Sequence, residues 1–346
     1  MQLGIIGLSM AGKTTIFELL TETFDKQLNI GKTNTSMAKI PDNRVDFLSN
    51  LFKPKKTTYA QLEIVDIPGL IPGGDKSATV FLDAVRKADA LLHVVRAYED
   101  DIDPIKDIET VNYELLLADL DLIEKRIERI NSNKKKNQMQ KELMLLEKLK
   151  KALEEEKPLS SVEIDEEEKD IISNYQFLTT KPMLICLNVD ESVLNGASYK
   201  DREKLKAYLH ELGIPMLEVS AKIEQEISQL NDEEKEIFMQ EMGLTEPGIV
   251  KIARSMYERL GLISFFTVGE DEVKAWTIEK GTTAKKAAGK IHSDIERGFI
   301  RAEVIDYEAL HEFKSIATVK EKGLFRLEGK DYIVKDGDII HFRFNV

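Results

Sequence analysis

Cysteine is almost absent from this sequence, and so are several features that mark secreted and membrane proteins. Cys186 is the only cysteine, so no disulfide can form within the chain. It lies in the apolar run MLICL at residues 183–187, which favours a buried, inert thiol over a redox sensor. The sequence opens without a basic region followed by a long apolar segment, and no apolar run reaches membrane-spanning length. We therefore expect a reducing, cytoplasmic setting and no membrane contact.

The chain lacks an excess of positive charge, because acidic residues outnumber basic ones. It has 49 Lys and Arg residues against 62 Asp and Glu residues, a formal net charge of −13. This balance argues against a protein that coats DNA or RNA through phosphate neutralisation. Residues 264–346 are nearly neutral, with 14 basic residues against 15 acidic ones, so any RNA contact should be local. A length of 346 residues predicts two or three domains.

What the sequence does contain is a phosphate-binding loop. Residues 7–14 read GLSMAGKT, the pattern G-x-x-x-x-G-K-[ST], after an apolar run and before a helix-like segment. The glycines let successive N–H groups turn inward around a polyphosphate, and the following helix N-terminus adds partial positive charge. Lys13 should reach the β- and γ-phosphates, and the Thr14 hydroxyl should bind Mg²⁺. The residues predicted to bind nucleotide here are Ser9, Met10, Ala11, Gly12, Lys13, Thr14 and Thr15.

A second motif follows about fifty residues later at a predicted strand end. Asp66 and Gly69 form D-x-x-G, which places a carboxylate near Mg²⁺ and a glycine N–H near the γ-phosphate. Ras-like enzymes have a glutamine next that orients the attacking water, whereas this chain has Leu70, which offers neither donor nor acceptor. We expect hydrolysis by the isolated protein to be slow and to depend on another donor, a bound monovalent cation or a partner.

The motif that reads the base is altered. Guanine-specific relatives use N-K-x-D, whereas residues 188–191 read NVDE, with Asn188, Val189 and Glu191 as the nucleotide-binding candidates. Without the aspartate, guanine's donors are matched less well and discrimination falls, which makes adenine plausible. The tripeptide Ser220, Ala221 and Lys222 matches the S-A-K loop that packs around the base in such proteins.

The pattern of apolar residues predicts the architecture. Strand-like runs at residues 3–6, 62–66, 90–95, 183–188 and 216–220 indicate a parallel sheet with crossover helices. Apolar stripes at residues 116–130 and 139–153 predict two antiparallel helices that form an inserted hairpin. Its basic tip, residues 131–136, is interpreted as a solvated loop rather than a contact for an acidic partner such as ribosomal RNA. Runs at residues 276–278, 299–304, 332–334 and 339–344 predict a small C-terminal sheet with one or two helices.

Taken together, these features resemble the Obg-like ATPase (YchF) family along the whole chain. The resemblance is carried by runs at residues 40–44 (IPDNR), 65–70 (VDIPGL), 273–277 (VKAWT), 287–294 (AAGKIHSD), 296–304 (ERGFIRAEV) and 332–340 (YIVKDGDII). It implies an α/β P-loop NTPase of Ras-like type with a mostly parallel sheet, an inserted antiparallel helical hairpin and a C-terminal β-grasp TGS domain. The expected boundaries are 1–112 and 178–262 for the NTPase domain, 113–177 for the hairpin and 263–346 for the TGS domain.

The resemblance also implies a function. Members of this family prefer ATP, use N-x-x-E to read the base, carry a hydrophobic residue in place of the catalytic glutamine and associate with ribosomes. By position, Lys13, Thr14, Asp66, Gly69 and Leu70 would form the catalytic centre, with ATP and Mg²⁺ as cofactors. The expected partner is the ribosome, through its large subunit or ribosomal RNA. The alternatives are a nucleotide-gated binding protein with incidental hydrolysis, or a GTPase.

Three departures from the family pattern affect individual residues. The phosphate loop lacks the family's usual P-N-V and reads SMA at residues 9–11. Ile30 falls where the threonine of the first switch would lie, so Thr33 or Thr35 is expected to substitute, with Thr35 taken as the metal ligand. The loop at residues 98–104 has no histidine to assist hydrolysis, and His93, inside an apolar strand, is interpreted as a core imidazole with its hydrogen bonds satisfied.

Overall fold

The computed structural model of the chain describes residues 1–24, 32–71, 75–98, 102–133 and 139–345. Four features of the sequence analysis lie wholly or partly outside these ranges: Ile30, residues 72–74 shortly after the D-x-x-G motif, residues 99–101 of the loop at 98–104, and the lysines 134–136 of the hairpin tip. The chain forms two compact units. The first contains Met1–Ser36 and Glu63–Ile252, and the second contains Met37–Leu62 and Ala253–Val346.

A six-stranded sheet forms the centre of the first unit. Its order is β2-β4-β1-β5-β6-β7, and β1 pairs in parallel with β4 and β5, as β6 does with β5 and β7. The strands are β1 Gln2–Ile6, β2 Asn34–Lys39, β4 Gln61–Asp66, β5 Ala90–Ala97, β6 Met183–Val189 and β7 Met216–Val219. The parallel sheet predicted from the apolar runs is confirmed. Strand β2 is an addition, because its exposed and half-buried side chains leave no apolar pattern in the sequence.

Helices surround this sheet and bring apolar faces to it. The described helices of this part are α1 Lys13–Thr21, α3 Asp75–Lys87, α4 Pro104–Ser132, α5 Gln140–Glu154, α6 Glu166–Ile172, α7 Glu191–Leu194, α8 Arg202–Glu211, α9 Ala221–Gln229, α10 Asp232–Glu241 and α11 Gly248–Arg259, with a 3₁₀ helix at Leu159–Ser161. Cys186 lies buried in β6, as expected. Among the described helices, none is both long and apolar enough to cross a bilayer.

The two long helices α4 and α5 form the predicted hairpin. Helix α4 begins well before the expected boundary at residue 113, because Asp103 accepts hydrogen bonds from the N–H groups of Ile105 and Lys106 and Pro104 occupies the first turn. The hairpin has its own apolar core. Ion pairs link the helices as well, from Arg126 Nε to Glu142 Oε1 at 2.8 Å and from Lys150 Nζ to Glu124 Oε1 at 2.7 Å.

Asp119 ties helix α4 to the chain that returns to the sheet. Its side chain is fully buried and accepts hydrogen bonds from Leu178 N at 2.9 Å, Thr179 N at 2.8 Å and the Thr179 hydroxyl at 2.8 Å. These contacts satisfy two backbone donors just before β6. The base of the hairpin is therefore held by one polar residue within an otherwise apolar helix face.

The second unit is built on a six-stranded sheet with the order β11-β10-β12-β8-β9-β3. Its strands are β3 Lys56–Thr58, β8 Leu262–Thr267, β9 Glu272–Glu279, β10 Phe299–Asp306, β11 Phe325–Glu328 and β12 Asp338–Phe344, and its helices are α2 Asn43–Phe52, α12 Ala284–Ile291, α13 Ser293–Arg297, α14 Tyr307–Phe313 and α15 Ile316–Glu321. The predicted strand at residues 332–334 was wrong. Within that run only Ile333 forms an isolated bridge, with Thr283, and the apolar runs did not predict β3, β8 and β11.

Most of residues 37–62, including α2 and β3, belong to this second unit, whereas the predicted boundary assigned all of residues 1–112 to the NTPase domain. Strand β3 pairs in parallel with β9, and Arg44 at the start of α2 binds Asp336 at 2.7 Å, in the turn before β12. Asp42 holds the same guanidinium at 2.8 Å. Strand pairing and a forked ion pair join this segment to a sheet more than two hundred residues away in the sequence, which no local pattern could predict.

Candidate nucleotide-binding site

The loop between β1 and α1 has the backbone of a phosphate cradle. Gly12 precedes α1 with φ of 95°, in the left-handed region, and Gly7 has φ of 142°. A Cβ on Gly7 would lie 2.3 Å from Val94 O, so only glycine fits there. No side chain caps α1 and its first turn has no acidic residue. The first N–H groups of this helix are therefore available to an anion.

The carbonyl groups of this loop are bound by donors from the loop and from surrounding elements. In five cases the donor and acceptor atoms are Leu70 N to Gly7 O at 3.1 Å, Lys13 Nζ to Leu8 O at 2.8 Å, Tyr98 Oη to Met10 O at 2.8 Å, Asn188 Nδ2 to Ala11 O at 3.3 Å and Ile16 N to Gly12 O at 3.0 Å. In a trans peptide, the N–H points away from the neighbouring carbonyl. Binding the carbonyls therefore orients the loop for phosphate recognition by its N–H groups.

Lys13 lies in the middle of this arrangement with only 7% of its surface exposed. Burial lowers the pKa of its ammonium group, and nearby Asp66 partly offsets that effect. A Cβ on Gly69 would lie 2.9 Å from Lys13 Nζ and 2.9 Å from Ser9 Cα. The D-x-x-G turn therefore packs directly on the phosphate loop, and the glycine is required for that approach.

Thr14 and Asp66 meet as predicted. The Thr14 hydroxyl donates to Asp66 Oδ2 at 3.0 Å, while Asp66 Oδ1 is buried without a hydrogen-bond partner among the described residues. Burial raises the pKa of Asp66, opposed by the hydrogen bond from Thr14 and the charge of Lys13. A hydroxyl and a carboxylate with an unmatched oxygen are hard donors of the kind that Mg²⁺ prefers, so these residues fit the metal.

The structure places Thr35 away from Asp66, and its role as a metal ligand stays a prediction. Thr35 is exposed on β2, and the side chain that reaches Asp66 is that of its neighbour Asn34, whose hydrogen bond lowers the pKa of Asp66. Successive side chains of a strand point to opposite faces, so Thr35 is directed away from the carboxylate. In the sequence, the only indication that Asn34 lies near the metal site is that it is adjacent to Thr35.

Leu70, predicted to belong to the catalytic centre, lies in the apolar core next to the D-x-x-G turn. Its side chain is 1% exposed and belongs to the apolar cluster beneath the sheet, together with Ile67 and Phe81. Its N–H bonds to Gly7 O. In this conformation Leu70 anchors the turn after Asp66 and contacts no solvent, so it takes part in the core rather than in water positioning.

The predicted base-binding residues divide into two groups. Asn188 is buried, accepts a hydrogen bond from Ala221 N at 3.1 Å and donates to the phosphate loop, so it ties three loops together. The side chain of Val189 is 2% exposed and packs in the core, and a contact with the nucleotide stays a prediction. Ser220 is also buried. Lys222 is exposed and Glu191 is half-buried, and the two side chains form an ion pair at 2.7 Å.

His93 in β5 was expected to have its hydrogen bonds satisfied, and the structure shows a different environment. It is buried as expected, but neither ring nitrogen has a hydrogen-bond partner among the residues the structure describes. Burial, helped by the charge of Lys13, lowers the pKa of His93 to about 3. Its ring lies 3.5 Å from the position of a Cβ on Gly7, directly beside the phosphate loop.

A pH-dependent stability follows from this histidine. Below pH 6.5 the unfolded chain binds a proton on His93 and the folded protein does not, so stability is full above that value and falls as the pH drops. Between pH 7 and pH 5 we expect His93 to contribute a loss of about 2 kcal/mol. Urea unfolding of wild type and His93→Leu at both pH values measures it. Equal losses in the two proteins would contradict the expectation.

These features define a P-loop nucleotide-binding protein of the GTPase fold. The chain matches the family model described as "50S ribosome-binding GTPase" over residues 2–189, and a YchF C-terminal model described as "Protein of unknown function (DUF933)" over residues 262–345. Among curated proteins, it is 42% identical to "Ribosome-binding ATPase YchF" of Bacillus subtilis and 43% identical to that of Haemophilus ducreyi, with 99% of each chain covered.

A solved structure agrees with this. The structure of the Schizosaccharomyces pombe YchF GTPase is 30% identical and superimposes with a TM-score of 0.89, covering 99% of this chain and 97% of the other. The chain belongs to the YchF family.

Proposed function

We propose that this protein binds and slowly hydrolyses ATP as a ribosome-associated switch in the cytoplasm. The observation that carries the proposal is the intact phosphate cradle, with Lys13 buried in it and Asp66 beside Thr14, in a chain aligned over its full length with relatives named ribosome-binding ATPases. The C-terminal unit is proposed to be a TGS domain of β-grasp type that takes part in the ribosome contact.

The residues have distinct proposed roles. Lys13 and the N–H groups of the loop and of Thr14 and Thr15 would bind the β- and γ-phosphates. Thr14 and Asp66 would hold Mg²⁺, which neutralises phosphate charge when it is bound. The N–H of Gly69 would donate a hydrogen bond to the γ-phosphate. Loss of that phosphate on hydrolysis would remove the bond and release the turn after β4.

The preference for ATP rests on the pairing of Glu191. Guanine presents two donors that a carboxylate must accept, and here Lys222 Nζ already lies 2.7 Å from Glu191 Oε2. Guanine would have to compete with the ammonium for the same acceptors, and an unmatched polar group costs binding energy. Adenine does not need a carboxylate that accepts two hydrogen bonds. The relatives' names differ here, since one is called a GTPase and the others ATPases.

Slow intrinsic hydrolysis follows from the place of Leu70 in the core. The Leu70 side chain is apolar and buried, so it cannot orient the attacking water. A partner that supplies a donor, or that rearranges the turn after Asp66, is therefore proposed to control the rate. The second candidate function, nucleotide-gated binding with incidental hydrolysis, is favoured by the same observation.

The proposed function is tested by ATP and GTP turnover with and without large ribosomal subunits. We expect slow ATP turnover by the isolated protein, stimulation by about ten-fold or more with subunits, and lower turnover of GTP. Stimulation is expected because the partner completes a site that lacks a water-orienting residue. Calorimetry on the same proteins measures the affinities for ATP and GTP.

Lys222→Ala serves as a specificity variant in the same experiment. It frees Glu191 to accept from guanine and should narrow the difference between ATP and GTP affinity. Lys206→Ala is the matched control, since Lys206 pairs with Glu203 on α8. Tighter binding of GTP than ATP by the wild type would reject the ATP assignment. Nucleotide-dependent ribosome binding without stimulated turnover would favour the gated binding protein.

A further inference from the structure

Met10 has an unusual backbone for its residue type. Its φ is +63°, in the left-handed region, and 83% of its surface is exposed in the middle of the phosphate loop. Other residues with positive φ, such as Glu22, Lys53 and Lys314, end helices, where this conformation is common. Met10 ends no helix. A side chain other than glycine or asparagine is strained there, and such strain persists only when the surroundings hold it.

One hydrogen bond from a distant element holds this peptide. The Tyr98 hydroxyl donates to Met10 O at 2.8 Å, across 88 residues of sequence. Tyr98 directly follows β5, and β5 pairs with β1, which leads into the loop. The carboxyl ends of the two parallel strands therefore lie side by side, and the first residue after β5 can reach the loop.

The hydrogen bond from Tyr98 to Met10 O also fixes the direction of the Ala11 N–H. The described chain has no cis peptide, so the N–H of Ala11 points away from Met10 O across a rigid peptide plane. On the other side of Ala11, its own carbonyl is held by Asn188. Rotation of the Met10–Ala11 peptide would direct a carbonyl oxygen, instead of an N–H, at a bound phosphate.

We propose that Tyr98 is a positioning residue for nucleotide binding: its hydroxyl holds the strained Met10–Ala11 peptide so that the N–H of Ala11 faces the phosphates. This inference rests on the proposed nucleotide-binding function. The proposed action of Tyr98 is through the loop, because its hydroxyl donates to Met10 O. The loss of affinity on removing the Tyr98 hydroxyl should depend on the strain at Met10. A residue that adopts this φ without strain needs no hydrogen bond to hold it there.

The test is a double-mutant cycle between Tyr98→Phe and Met10→Gly, measured as ATP and ADP affinity by calorimetry with Mg²⁺. Tyr98→Phe removes only the hydroxyl. We expect it to weaken both nucleotides about five-fold, equivalent to one hydrogen bond of about 1 kcal/mol. In the Met10→Gly background the same change should cost less than about two-fold, because glycine adopts this φ without strain.

A matched tyrosine controls for the loss of a hydroxyl elsewhere. Tyr113 in α4 is similarly exposed, at 40% against 36% for Tyr98, and donates to Glu156 at 3.0 Å, so Tyr113→Phe should leave both affinities unchanged. Equal affinity of wild type and Tyr98→Phe, or an equal loss in the Met10→Gly background, would overturn the inference.

A second measurement separates this inference from the proposed function. Hydrogen exchange of the Ala11 amide, followed without nucleotide, should be faster in Tyr98→Phe than in the wild type. Wild-type protein that binds neither nucleotide would reject the proposed function, whereas faster exchange at Ala11 would still support the positioning of the peptide. Unchanged exchange would overturn that positioning even if ATP binds.

Discussion

Lys13→Ala is expected to weaken ATP binding by about 100-fold or more. The ammonium is the buried cation of the cradle, and its contacts to two phosphates are charge-assisted hydrogen bonds, whose loss amounts to about 3 kcal/mol. Hydrolysis should fall with binding, because no other described lysine or arginine is buried in the loop. Calorimetry with ATP and Mg²⁺ gives the affinity directly.

The control for this variant is Lys87→Ala, which removes an exposed lysine at the end of α3 from the same unit. It changes net charge by the same amount but should leave ATP affinity within about two-fold, since exposed charges are screened. Urea unfolding should show that Lys13→Ala remains folded. ATP binding by Lys13→Ala at wild-type strength would refute the assignment of this loop as the phosphate site.

Asp119→Ala is expected to destabilise the first unit by about 3 kcal/mol. The substitution leaves the N–H groups of Leu178 and Thr179 buried without their acceptor, and it opens a polar gap at the base of the hairpin. Urea unfolding at pH 7 provides the measurement. The loss of stability should lower the urea concentration at the midpoint of unfolding. The slope of the free energy against urea should stay the same, because the surface exposed on unfolding changes little.

Asp121→Ala on the same helix is the control for this change. Asp121 is an exposed partner of Lys125, at i and i+4, so little stability should be lost. Asp119→Asn is a further variant, since it retains an oxygen acceptor but adds two donors that lack partners. It should fall between wild type and Asp119→Ala. Stability of Asp119→Ala equal to that of Asp121→Ala would show that the three hydrogen bonds do not hold the hairpin base.

Local sequence was sufficient where neighbouring residues set the structure. The strands of the parallel sheet, the hairpin stripes and the loop around Lys13 are short-range patterns of apolar residues, glycines and caps, and they were confirmed. Errors arose where the environment comes from elsewhere. The sequence did not predict that neighbouring helices bury the side chains of Val189 and Leu70. His93 looks like a satisfied core histidine, yet its nitrogens meet no described donor or acceptor.

The amino-acid order by itself determined a P-loop protein with a parallel sheet, a helical hairpin and a third β-rich part, because these depend on periodicity and on glycine spacing within a few residues. Only the tertiary structure decided that β3 joins the C-terminal sheet, that Arg44 binds Asp336, that the side chain of Asn34 rather than Thr35 affects Asp66, and that Tyr98 holds Met10. These contacts bring together residues 32 to nearly 300 positions apart. Strand pairing and the direction of each side chain set them, and no local pattern encodes either.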